Sequence, residues 1–211
     1  MEYVPRPEHD DPLASAFLTV SLSVRLNPTS AAGAHCARVF EALNQGDNPK
    51  KPNDPNHPDP PRLEGVLLPA CAQIDDAVAT VTATHATELI DVAEAFKALA
   101  PRLRWLHRTG LHGVVPDFAD RHANAIVVGN GGLIASSRIT VGATVMTPNT
   151  TYTNHSHPPE EVYLVLSDSE WRHRNDPWHQ PGLGGFVHNP PGIIHAMRAK
   201  NHPLFAVWLL I

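Results

Sequence analysis

The chain has 211 residues, with 16 Lys and Arg against 21 Asp and Glu, for a formal net charge of −5. It carries no basic block, which argues against nucleic-acid binding, and no apolar run near the roughly 18 residues of a membrane-spanning helix. The acidic, Pro-broken start Met1–Asp11 does not have the pattern of a secretory leader, so the cytoplasm is the expected compartment.

Asp11 followed by Pro12 reads as a helix start, an N-cap before a proline whose missing N–H costs nothing there. Leu13, Phe17, Val20 and Val24 follow at helical spacing until Asn27-Pro28 stops the run. Ser30 to Gln45 predicts a second helix, with Val39, Phe40 and Leu43 inward and Gly46 just past its end. Asp47 to Arg62 holds six Pro in 16 residues and cannot be helical. It predicts an exposed loop, a connector in preference to a lid. One long helix is expected from about Cys71 to Leu99, because Ile74, Val78, Val81, His85, Leu89, Val92, Phe96 and Leu99 fall at steps of three and four. His85 lies in that stripe and reads as a core histidine. Cys36 and Cys71 read as packing thiols, not a disulfide.

After Pro101 the pattern changes to alternation and short β-branched runs. Leu103–His107, Ala125–Val128, Ile134–Val141, Thr144–Met146, Trp171–Arg174 and Leu204–Leu210 predict strands, with a turn at Gly129-Asn130-Gly131-Gly132. The expected architecture is mainly β: a small antiparallel barrel with an N-terminal α-helical layer. The boundary is expected near residue 101, with a helical extension over 1–101 and the barrel over 102–211.

The chemistry concentrates in His155-Ser156-His157-Pro158-Pro159-Glu160-Glu161-Val162-Tyr163 and a distant His195. Side chains at i and i+2 of a strand share a face, so His155 and His157 pair, and Glu161 and Tyr163 pair. A Pro-Pro turn between them brings both pairs around one cavity. Three imidazoles and a carboxylate suit one borderline divalent transition metal (Fe, Mn, Co, Ni, Cu or Zn) and not Ca or Mg. Glu160 falls on the opposite strand face, where solvent exposure is expected. His173 and His188 are expected at the mouth of the site at most, not as ligands.

His155-x-His157-x3-Glu161 resembles the first cupin motif, and Gly184-x5-Pro190-x-Gly192-x2-His195 resembles the second. Ser167-Asp168 replaces the Gly that usually ends the first, and Ala199 the Asn that often ends the second. Tyr152 and Tyr163 flanking the first motif make the chain similar to the cupin-type dimethylsulfoniopropionate lyases (the DddL/DddQ/DddW/DddK group). That resemblance spans roughly residues 134–211. It implies a cupin (jelly-roll) barrel and one divalent metal held by His157, Glu161 and His195, with His155 as a further ligand. It also implies Tyr163 beside the metal, Tyr152 as a second active-site tyrosine, and association as a homodimer. The expected reaction is metal-dependent cleavage of a small sulfonium carboxylate into dimethyl sulfide and acrylate, with a tyrosine removing the α-proton. Tyr152, Trp178, Trp208 and Trp171 are candidates to hold the sulfonium against an aromatic face. Trp208 is equally well read as core, and Trp171 and Trp178 as surface or loop. The alternatives are an iron-dependent dioxygenase or a sugar-phosphate isomerase on the same barrel, or a non-catalytic cupin binding a small ligand.

Overall fold

A computed structural model describes residues 11–22, 24, 29–45 and 65–211. The acidic start, the Asn27-Pro28 stop, Gly46 and the Pro-rich stretch 47–62 lie outside the described residues.

Four helices come first: α1 (Pro12–Ser21), α2 (Ala31–Gln45), α3 (Ile74–Thr82) and α4 (Thr87–Leu99). Asp11 caps α1 as its sequence predicts. Its carboxylate accepts from the backbone N–H of Leu13 at 3.1 Å and of Ala14 at 3.3 Å, and it is also paired with Arg102. Phe17 of α1 packs on Phe96 of α4 with ring centroids 5.6 Å apart. The single helix expected over Cys71–Leu99 is instead a short 3-10 turn (Pro69–Gln73) followed by two α-helices. The break falls at His85, which sits at φ 60 and is exposed, not in the core. Histidine tolerates this left-handed region better than most side chains, and Thr84 supports the turn by donating to the Val81 carbonyl at 2.6 Å. The periodicity survived the break because α3 and α4 both rest on the same sheet. Cys36 and Cys71 are free and buried, as expected; burial pushes the Cys36 thiol up to about 12.

The remaining elements are β1 (Trp105–Leu106), α5 (Phe118–Arg121), β2 (His122–Val128), β3 (Thr140–Met146), β4 (Thr151–His155), β5 (Glu161–Val165), β6 (Ser169–His173), β7 (Phe186–Asn189), β8 (His195–Ala199) and β9 (Leu204–Leu210). They form a six-stranded antiparallel sheet in the order β1-β2-β3-β9-β5-β7 and a three-stranded one in the order β4-β8-β6. Several predicted bounds move. The Leu103–His107 strand shrinks to β1. Ile134–Ile139 stays irregular, because the Ser136 hydroxyl accepts from Arg138 N and Ile139 N and holds a turn there. The glycine turn forms as expected, with Gly129 at φ 125 and Gly131 at φ 83.

Alternation gives the larger sheet two faces. Ala123, Ala125, Val127, Val141, Ala143, Val145, Val162, Leu164, Phe205, Val207 and Leu209 join the helical residues in one apolar cluster. Met146, Tyr152, Tyr163, Val165, Trp171, Val187, Met197, Ala206 and Trp208 fill the space between the two sheets. A Cβ on Gly142 would lie 2.3 Å from the Trp208 ring, so glycine at this position lets that indole lie across β3.

Candidate metal centre

The inner space changes character toward one end. There β5 contributes Glu161 and Tyr163, β7 Asn189, β8 His195 and β6 His173, while β4 and the loop after it contribute Tyr152, His155 and His157. His157 lies beyond the end of β4, so it is a loop residue and not the strand partner that its spacing from His155 predicts. The turn before β5 still delivers it: Gly192 N donates to the His157 carbonyl at 3.0 Å, tying the two motif turns together.

His157, Glu161 and His195 are the three groups that come together. Their ligand atoms all lie within 4.8 Å of one another. His157 Nε2 is 3.0 Å, and His195 Nε2 3.5 Å, from the same Glu161 oxygen, Oε2. The Glu161 side chain is 4 % exposed and that of His195 2 %. A bare carboxylate at such depth needs cationic or hydrogen-bonded partners.

The imidazoles are oriented by a repeated device. The Nδ1–H of His155 donates to Thr153 O at 2.8 Å, that of His157 to Pro159 O at 3.0 Å, and that of His195 to Ile193 O at 3.0 Å. Each ring is thereby oriented by its Nδ1, leaving Nε2 to face the group, where that of His157 meets Glu161, the arrangement second-layer bonds impose on metal-binding histidines. His195 Nε2 is buried and has no hydrogen-bond partner. An orphaned lone pair beside a carboxylate and a second imidazole is what a divalent transition metal would satisfy, so the residues fit such an ion.

The structure does not bring His155 into the three-residue group. Its ring packs at 3.8 Å on Tyr152, nearly parallel, and meets His195 edge-on at 4.1 Å. It lies next to the group, between Tyr152 and His195.

Burial dominates the titration of these groups. It lowers His195, and it holds His155 far below its usual range. Burial would lower His157 also, but the hydrogen bond and charge of Glu161 outweigh it and raise the imidazole. Tyr163 is raised well above its ordinary value by burial and then by the Glu161 charge, and Tyr152 is raised chiefly by burial.

Three contributors were not singled out from the sequence. Asn189, fully buried, donates from Nδ2 to Glu161 Oε2 at 2.8 Å and accepts from His173 Nε2 at 2.8 Å. His173 therefore acts one step behind Glu161. The available signal was Asn189 itself, a polar residue alternating with Val187 just before the Pro190 turn. His122 is fully buried, stacked on Phe118 at 4.9 Å and edge-on to Tyr152 at 4.7 Å. Neither ring nitrogen has a hydrogen-bond partner, and burial lowers its pKa to about 4. Its strand was expected to begin only at Ala125. Arg108, in the loop after β1, donates to the Ser156 carbonyl at 3.4 Å.

Glu160 corrects another expectation. It is not left to solvent but partly covered by α2, accepting from His188 Nε2 at 2.7 Å and from Arg38, with His35 Nδ1 at 3.6 Å. The helical layer, invisible to a strand-face argument, covers that face. His188 is accordingly turned away from the site.

Among the aromatic candidates, Trp171 is 1 % exposed on β6 and packs on Tyr163 at 4.7 Å, so it is neither surface nor loop. Trp208 pairs in register with Tyr163 and donates to Thr144 Oγ1 at 3.1 Å. Trp178 does lie in a loop. Its ring contacts the guanidinium groups of Arg172 (4.6 Å) and Arg198 (4.4 Å), on the outer side of the small sheet and away from the site.

Two facing antiparallel sheets with a His-Glu-His group at one end define a cupin. The comparisons with known proteins narrow this. A family model described as dimethylsulfoniopropionate lyase matches residues 53–206. A dimethylsulfoniopropionate lyase, DddQ, of Ruegeria pomeroyi is 28 % identical over 151 residues, covering 71 % of this chain and 73 % of the relative. A putative lyase, DddL, of Cereibacter sphaeroides is 30 % identical over 111 residues, 52 % of this chain and 46 % of that longer relative. The crystal structure of DddQ from Ruegeria pomeroyi superposes with a TM-score of 0.66 at 27 % identity, covering 95 % of this chain and 91 % of that one. The chain belongs to the dimethylsulfoniopropionate lyase family. It is a carbon–sulfur lyase. Among the described residues, no helix is long and apolar enough to cross a membrane.

Proposed function

We propose that the protein is a metal-dependent lyase cleaving dimethylsulfoniopropionate to dimethyl sulfide and acrylate, with His157, Glu161 and His195 holding one divalent transition metal. The observation that carries this is the orphaned Nε2 of His195 within the His-Glu-His group, beside Tyr163 and Tyr152. When bound, the metal supplies Lewis-acid polarisation of the substrate carboxylate, which acidifies the adjacent carbon. His155, packed between Tyr152 and His195, is either a further ligand or the wall that fixes their spacing.

Tyr163 is the assigned base. Its phenol lies against Glu161 and under Trp171, where burial and that carboxylate keep the proton on oxygen. With Glu161 neutralised by the ion it would hold, the phenolate would be favoured. Tyr163 then takes the α-proton, the C–H electrons form the C=C bond, and the C–S bond breaks with its pair leaving on sulfur. The products are acrylate and neutral dimethyl sulfide, with the proton on Tyr163. Tyr152 is the alternate base or a substrate anchor. The sulfonium is held by the faces of Tyr152 and Trp208, each contact contributing about 0.5–2 kcal/mol. No redox change occurs, so Zn, Fe, Mn, Co or Ni can serve.

The test is headspace chromatography of dimethyl sulfide from metal-stripped and metal-reloaded protein given dimethylsulfoniopropionate. Metal-dependent gas with equimolar acrylate is the expected result. Absence of gas from folded, metal-replete protein would overturn the assignment.

A further inference from the structure

We propose that Glu160 is a positioning residue for the metal ligands His157 and Glu161: pinned on the helical side of the sheet by Arg38 and His188, it sets the Pro158-Pro159 bend that delivers both ligands to the other side. The inference rests on the reading of His157, Glu161 and His195 as a metal centre.

His157 and Glu161 stand on either side of a bend that cannot fasten itself. Pro158 and Pro159 have no N–H to donate. Ser156 and Pro158 are exposed, so burial does not settle where the bend lies. Its position is set from outside. Gly192 N holds the His157 carbonyl at 3.0 Å, and Ile211 N holds the Glu160 carbonyl at 3.1 Å. The bend in turn orients a ligand, because His157 Nδ1 donates to Pro159 O at 3.0 Å. A shift at Glu160 therefore moves both the carbonyl that aims His157 and the backbone that carries Glu161.

The Glu160 side chain ties this bend to the helical layer. Consecutive residues of β7 grip the two consecutive glutamates, one on each face of the sheet. His188 Nε2 donates to Glu160 Oε1 at 2.7 Å on the outside, and Asn189 Nδ2 to Glu161 Oε2 at 2.8 Å on the inside. The register explains this, since Glu161 pairs with Asn189 and Val162 with His188. Arg38 of α2 donates to the other Glu160 oxygen, Oε2. The helix is itself fixed there. His35, three residues before Arg38 and so on the same helix face, is fully buried and donates from Nε2 to the Leu209 carbonyl of β9 at 2.9 Å. With α2 docked on β9, Arg38 is held over the start of β5. The Glu160 side chain is 21 % exposed. Charge-assisted bonds from two separate elements at that depth resist displacement more than an exposed pair does.

The experiment titrates metal-stripped protein with Co(II) against a chelator and records the visible absorption of the bound ion, which reports ligand geometry. Glu160→Ala should weaken Co(II) affinity on the order of tenfold and change the absorption band. Glu160→Gln keeps an acceptor for the pin without the charge. It should stay within about threefold of wild type, with the wild-type band. Arg38→Gln should weaken affinity about threefold in wild type and no further in Glu160→Ala, the signature of one shared contact. Val39→Ala removes fully buried volume from α2 without touching Glu160; it should lower the melting temperature and leave affinity and band unchanged. Wild-type affinity and band in Glu160→Ala would overturn the inference. So would Glu160→Gln falling to the level of Glu160→Ala, which would make charge and not position the cause, or equal weakening in Val39→Ala. Should Glu160→Ala fail to fold, Arg38→Gln decides: unchanged affinity and band overturn the inference. If wild type binds Co(II) but releases no dimethyl sulfide, and the variants respond as stated, the pin stands and the lyase assignment falls. If wild type takes up no Co(II), the metal centre falls and the pin with it.

Discussion

On strand β5, Val162 and Leu164 point into the helical layer while Glu161 and Tyr163, one residue away in each case, point between the sheets. The same division runs through β9, where Phe205, Val207 and Leu209 face the helices and Ala206 and Trp208 face inward. One face is closed by aliphatic packing with Phe17, Phe96 and Trp105, and holds the sheet's shape. The other ends in His157, Glu161 and His195, whose ligand atoms lie within 4.8 Å of one another, with Tyr152 and Tyr163 in the inner cluster beside them. A single sheet can therefore separate stability from chemistry, because the pleat sends neighbouring side chains to opposite environments.

The sharpest way to break this comparison is His195→Ala. Metal content measured by atomic emission should collapse and dimethyl sulfide release should fall to background, on the order of a thousandfold or more. Retention of full metal content would sink the ligand assignment. Tyr163→Phe should keep the metal but lower kcat by about 10²–10⁴-fold. If that variant stays active while Tyr152→Phe does not, the base is Tyr152. On the opposite face, Phe96→Ala removes the ring that packs on Phe17, Trp105 and Phe205. It should cost about 3–5 kcal/mol in denaturant unfolding while leaving kcat per folded molecule nearly unchanged; a large kcat loss would mean the faces are not separable.

Asn189→Ala probes the layer behind the site. It removes the amide that holds Glu161 Oε2 and should weaken metal affinity or activity about 10–100-fold, read by competition with a chelator. The smallest effect is a pH dependence. His157 is raised above 6.5 by its pairing with Glu161, so in the metal-free protein this pair contributes stability below pH 6.5 that is lost as pH rises through the folded value. Metal must displace that proton. Affinity should therefore strengthen with rising pH, by up to about tenfold per unit below the raised value, and then level off. A proton count on metal addition near neutral pH checks the sign.

Much of the site was legible in the chain because its chemistry is carried by residue types that are costly to bury without purpose. His157, Glu161 and His195 fell at motif spacings and came together. Asp11-Pro12 announced α1, and the alternation of β5 announced a two-faced strand. Other features depended on contacts distant in sequence. The break at His85 is hidden by a period that both helices share. The fate of Glu160 is decided by α2, more than a hundred residues away, and that of Trp178 by two arginines of the small sheet. The contacts of Asn189 and His122 depend on which strand lies beside them.

The sequence by itself determined that strands follow helices and which His and Glu residues stand at motif spacings, because periodicity and residue type are local properties, while the cupin barrel and the lyase reaction came with the family resemblance. Only the tertiary structure decided that His155 packs against Tyr152 outside the three-residue group, and that Asn189 and His173 back Glu161. Those are relations between elements brought into register by the core, and a distance across the barrel is not encoded in any single stretch of chain.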